Sequence, residues 1–148
     1  MSVITLRTIG AVIAFIGASA ASAAFDCSSF PVRSYVKADG TRLGIVFTTD
    51  QISRAPTWQP GAGEPPLTIS QVTKIAQDWA AAQFKRFDSA RIQSISLSES
   101  GCPGKRYWYY AVDFTLTIDG NLVTSAANFV GVLMDGTVVG AAPVKDAF

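Results

Sequence analysis

Histidine is absent from all 148 residues, and its absence removes most imidazole chemistry at once. No Ser-His-Asp triad, Cys-His dyad or His-ligated zinc can be assembled. The acid–base groups that remain are carboxylates. Asp119 and Asp135 each precede a glycine and belong to turns, which leaves Asp113 and Glu99 as the pair worth testing. A glycosidase needs two carboxyls roughly 5–10 Å apart across a cleft. Solvated acids on a strand and a loop are the plainer reading, so the chain is expected to be non-catalytic. It has no Walker loop, no dinucleotide-binding glycine fingerprint and no Cys-x-x-Cys, so neither a cofactor nor a metal is expected.

Lys105 and Arg106 stand before Tyr107-Trp108-Tyr109-Tyr110, an order that can stack on bases or sugars. Strand alternation already accounts for Trp108 and Tyr110. Twelve basic against eleven acidic side chains leave no field to hold nucleic acid, and no nucleic-acid partner is expected.

Residues 1–24 read as a secretory signal peptide. Arg7 supplies the positive n-region and Ile9 to Ala18 an apolar run of about ten residues. Small residues at Ala18, Ala20, Ala21 and Ala23 follow, and cleavage after Ala23 or Ala24 fits them. The run is shorter than the ~20 residues a membrane span needs, so no stable anchor is expected after cleavage. The expected location is the periplasm or the medium. An oxidising compartment suits Cys27 and Cys102, the only cysteines. Their disulfide would close a loop of about 75 residues and contribute roughly 4 kcal/mol in the chain-entropy model.

The elements that must position these residues follow from periodicity. Asp39-Gly40, Asp119-Gly120 and Asp135-Gly136 predict hairpin turns. The first joins Val32–Val36 to Leu43–Thr48. Residues 25–66 are thus read as an N-terminal hairpin followed by a Pro/Gly-rich connector, Ala55 to Pro66. Thr68 and Gln71 form a capping box, and Val72, Ile75, Ala76, Trp79, Ala80 and Phe87 keep a helical period. They predict a helix from about Ile69 to Phe87. A strand near Arg91–Ser98 and a long one from Tyr107 to Ile118 complete the frame. On the long strand Trp108, Tyr110, Val112, Phe114, Leu116 and Ile118 share a face. A two-residue turn then adds Val123, Phe129, Gly131 and Leu133 to that face. The expected fold is α+β: residues 67–148 form one long helix packed on an antiparallel sheet of about four strands, with the N-terminal β-hairpin as an extension.

The order helix, strand, strand, strand, closing on a Met134-Asp135-Gly136 hairpin, resembles PepSY-like and cystatin-like small secreted domains. Pro56-Thr57-Trp58 and Pro65-Pro66-Leu67 are similar to the helix approach of uncharacterised secreted bacterial proteins. The PepSY-like resemblance implies binding to, or inhibition of, envelope peptidases. Cystatins use a Gln-x-Val-x-Gly hairpin, and that string does not occur here. The chain is accordingly expected to be an exported binding or regulatory module for a peptide, a peptidase or another envelope protein. A structural or assembly component of the envelope is the alternative, and the oligomeric state is left open.

The second face of the sheet is where a binding module would work. Tyr107, Tyr109, Val130, Val132 and Met134 fall together there under a two-residue turn, and that end is too apolar to be simply wet. Either the N-terminal half covers it with Tyr35, Phe47 or Trp58, or it is an exposed patch rimmed by Trp58.

Overall fold

The computed structural model describes residues 30–102, 104–123 and 127–144. The expected signal peptide and Cys27 lie outside them. The elements run β1 (Arg33–Val36), β2 (Arg42–Ile45), α1 (Thr49–Arg54), α2 (Ile69–Gln83), β3 (Ser89–Cys102), β4 (Lys105–Ile118), β5 (Asn121–Val123), β6 (Phe129–Leu133), β7 (Val138–Gly140) and β8 (Ala142–Pro143). Two antiparallel sheets result. One has the order β1-β2-β8; the other has the order β3-β4-β6-β7, with β5 also paired to β4.

β4 organises both layers. Its even positions Tyr110, Val112, Phe114 and Leu116 join Val72, Ala76 and Ala80 of α2 in one core. Its odd positions Tyr107, Tyr109 and Ala111 join Ile45, Phe47, Phe129 and Leu133 in a second. A strand apolar on both faces has to be covered twice, and the small sheet is the second cover. Gly131 makes that approach possible. A Cβ there would lie 2.5 Å from the Phe47 ring, so a side chain at this position would push the sheets apart.

The register of β6 differs from expectation. Asp119 (φ 51°) and Gly120 (φ 73°) form the expected two-residue turn and set Ile118 opposite Asn121 and Leu116 opposite Val123. That register, continued, would bring residue 126 opposite Asp113. The residue found there is Phe129, three positions later, with Val130 opposite Val112. An odd offset exchanges the faces of a strand. Phe129 and Leu133 therefore face the small sheet, whereas Val130, Val132 and Met134 face α2.

The helix is shorter than its pattern suggested. Its capping box is present, with Thr68 N–H donating to Gln71 Oε1 at 2.8 Å. It ends at Gln83, and Phe84 and Phe87 leave the helical path. Phe84 packs edge-on to Trp79 and Phe114, and Phe87 packs edge-on to Phe84. Phe84 is the C-cap, its N–H donating to Ala80 O at 2.8 Å, and aromatic packing on the sheet takes over from there.

The expected α+β arrangement, one long helix on a sheet of about four strands with a hairpin extension, is therefore corrected. Among the described residues the chain is mostly sheet, 44% strand against 19% helix, in two sheets. It has two helices, only one of them with seven or more residues. The hairpin is no appendage: β8 pairs with β2, Leu43 opposite Pro143, and completes the second layer. Removing the ring that seals this layer tests the arrangement. Phe47→Ala is expected to destabilise the protein by about 3–5 kcal/mol in urea denaturation. A loss below about 1 kcal/mol would mean that the ring is not sandwiched between the sheets.

Candidate functional site

The connector between α1 and α2 has no regular structure, as its prolines and glycines require, yet it is anchored at both ends. Trp58 Nε1 donates to Gly63 O at 3.1 Å, closing the loop on itself. At the far end the Tyr110 hydroxyl donates to Leu67 O at 2.7 Å, a buried bond from β4 to the residue before the α2 cap. In between, the Trp58 ring stands edge-on to Trp108, with centroids 5.2 Å apart and planes at 84°.

This corner opens into a groove of about 1050 Å³ lined by Trp58, Gln59, Pro60, Glu99, Arg106 and Trp108. Glu99 and Arg106 form an ion pair across the β3–β4 ladder at 3.0 Å. Both remain partly solvated, so the pair orients its side chains more than it stabilises the fold. A smaller and more apolar groove of about 330 Å³ lies beyond the connector, between Glu64, Pro65, Ile69, Ile95, Leu97 and Tyr110.

Of the six residues expected to form a binding patch, only Trp58 reaches this surface. Tyr107 and Tyr109 are buried under Phe47, whose ring meets theirs at 5.9 and 5.5 Å. Val130, Val132 and Met134 are buried beneath α2. The exposed patch is thus replaced by two cores, and the N-terminal cover comes from Ile45 and Phe47. Trp108, assigned to the core by its alternation, does pack against the α2-side core, but it is only partly buried and also meets Trp58. The odd feature that pointed to this place was a tryptophan inside a Pro/Gly loop.

The carboxylates do not form a catalytic pair. Glu99 lies on the α2 side of the sheet with Trp108; Asp113 lies on the other, bound to the small sheet through Arg33. Two Arg33 nitrogens meet the Asp113 carboxylate at 2.8 and 2.5 Å, and Ser94 Oγ donates to it at 2.8 Å. The same guanidinium lies 4.9 Å from the centre of the Phe129 ring. Each acid is thus held by a guanidinium. Among the described residues no three His, Cys, Asp or Glu side chains gather to hold a metal ion, and no helix is long and apolar enough to cross a membrane. Cys102 ends β3, while its expected disulfide partner lies outside the described residues.

Comparison with protein-family models, curated proteins and solved structures finds no match to this chain. No relative bears on the PepSY-like or cystatin-like resemblance.

The buried tyrosines give this region a pH signature. Burial raises the pKa of Tyr107, Tyr109 and Tyr110 above the ordinary tyrosine value. Hydrogen bonds with Ser100 and Ser98 oppose the shift at Tyr107 and Tyr109, as does the charge of Arg33 at Tyr109. The unfolded chain therefore loses these protons first. Their contribution to stability is complete below about pH 10 and declines as pH rises through the folded values. Alkaline titration followed by tyrosinate absorbance and circular dichroism should show ionisation of these rings together with unfolding. Full ionisation with the fold intact would contradict their burial.

Proposed function

We propose that the chain is a non-catalytic, exported binding module that takes an extended peptide, or such a segment of an envelope protein, in the groove between Trp58 and Trp108. The observation that carries this reading is the paired tryptophans at an open groove. Neither ring is fully buried, and part of each rigid ring borders the open groove. Tryptophan is among the residues most enriched in binding hot spots. The Glu99–Arg106 pair beside the rings offers an acceptor and donors for a peptide backbone or a charged side chain.

The ion pairing of Asp113 and Glu99 supports a binding role over acid–base catalysis, since each carboxylate already neutralises a guanidinium. The leader-like residues 1–24 support export. A disulfide between Cys27 and Cys102 would tie the mature N-terminus to the end of β3, close to Arg106. A peptidase segment is the partner class that the PepSY-like resemblance implies.

Tryptophan fluorescence titrated with a panel of extended peptides tests the reading, with Trp58→Ala as the decisive variant. The variant should cost more than about 1 kcal/mol of binding free energy while thermal stability changes little. Unchanged affinity in the variant would place the ligand elsewhere.

A further inference from the structure

The edge of the larger sheet beside these grooves is open. β3 ends the strand order, and among the described residues no strand lies on its outer side. The phase of the ladder identifies which backbone groups are left over. Phe114 N–H donates to Asn128 O, and Leu133 N–H to Thr137 O. Even-numbered residues of β4 therefore turn their backbone toward β6, and odd-numbered ones toward β3. Tyr107, Tyr109, Ala111 and Asp113 are opposite Ser100, Ser98, Ser96 and Ser94, which use their backbone groups on β4. Ile95, Leu97 and Glu99 then point N–H and C=O outward, where no described residue meets them. The side chains of the same three residues line the grooves, Ile95 and Leu97 the smaller, Glu99 the larger.

We propose that β3 receives its ligand by strand addition: an extended peptide pairs with the outer edge at Ile95, Leu97 and Glu99. This deepens the peptide-binding reading of the tryptophan groove and rests on it. Residues of an added strand directly opposite these three share their face, so alternate side chains enter the grooves while the backbone completes the ladder. Charge and shape specify the occupant. Opposite Ile95 and Leu97 the walls are Ile69, which is 60% exposed, Pro65 and Tyr110, and they take apolar side chains. Glu64 and Glu99 line the two grooves against Arg106 alone, an excess of one carboxylate. Glu99 is already paired with Arg106, so a lysine or arginine opposite it is selected by the adjacent tryptophan rings, with Glu64 of the neighbouring groove as the uncompensated carboxylate.

A fluorescent synthetic peptide alternating leucine with threonine and ending in lysine is the probe, titrated by anisotropy into the purified protein. Leu97→Ala and Leu97→Pro both remove the side chain; only the proline also removes the outward N–H, a substitution edge strands tolerate. Strand addition predicts that Leu97→Pro binds about tenfold or more weakly than Leu97→Ala, with circular dichroism unchanged. It also predicts that the peptide slows hydrogen exchange at Ile95, Leu97 and Glu99 in the wild type. Equal binding by the two Leu97 variants overturns strand addition; if Trp58→Ala is still weakened, the groove reading survives alone. If Leu97→Pro does not fold, unchanged exchange at the three amides overturns the inference. No binding of this peptide by the wild type overturns it as well. So does a dimer of the protein that Leu97→Pro dissolves and the peptide cannot displace, because the edge then belongs to a second copy.

Discussion

Strand β4 carries large apolar side chains on both faces, and water has to be kept from each. One face takes Val72, Ala76 and Ala80 from α2; the other takes Ile45 and Phe47 from the small sheet. Burying Phe47, Phe114 and Tyr110 this fully contributes about 1.5–3 kcal/mol per side chain, so neither cover is dispensable in a domain of this size. The polar link between layers is Arg33 with Asp113, supported by Ser94 and by the Phe129 ring. It lies at the rim of the second core, where a partly solvated ion pair fixes how the small sheet sits.

The same constraint determines where a ligand can bind. With both faces of β4 covered, its aromatic residues serve the fold, and Trp108, near the β3 end of the strand, also borders the open groove beside Trp58. There the connector lies across the sheet without sealing it, held by the Tyr110 bond to Leu67 and by the Trp58 contact. The two grooves lined by the connector adjoin β3, one of the edge strands of the larger sheet. Side-chain pockets and free backbone groups therefore meet at one edge.

The long strand, the α2 cap and the Asp-Gly turns were legible in the sequence because each rests on local chemistry. Alternation over Tyr107–Ile118 needs no tertiary information, and the Thr68 to Gln71 box states where a helix starts. The same signature at Thr48 and Gln51 marks α1 and could have been read. The face of β6 was not legible, because the pairing register on β4 shifts by three positions between Val123 and Phe129 and no local pattern records such a shift. For that reason Val130, Val132 and Met134 were assigned to the wrong side. The role of the N-terminal hairpin was half legible. Too many apolar residues on the second face demanded a cover, and Phe47 was among those proposed, but β8 is too short to leave a signal. Trp58 stood out only as an anomaly, and its partner Trp108 was hidden within a regular alternation.

By this packing β4 holds the two layers in one cooperative unit. Native-state hydrogen exchange in low denaturant measures this directly, residue by residue. In one cooperative unit the slowly exchanging amides of Ile45 in β2, Ala76 in α2 and Val112 in β4 open with one common free energy, equal to that of global unfolding. Opening of Ile45 several kcal/mol more cheaply, with Ala76 and Val112 still protected, would show that the small sheet is an independent flap and would contradict the account.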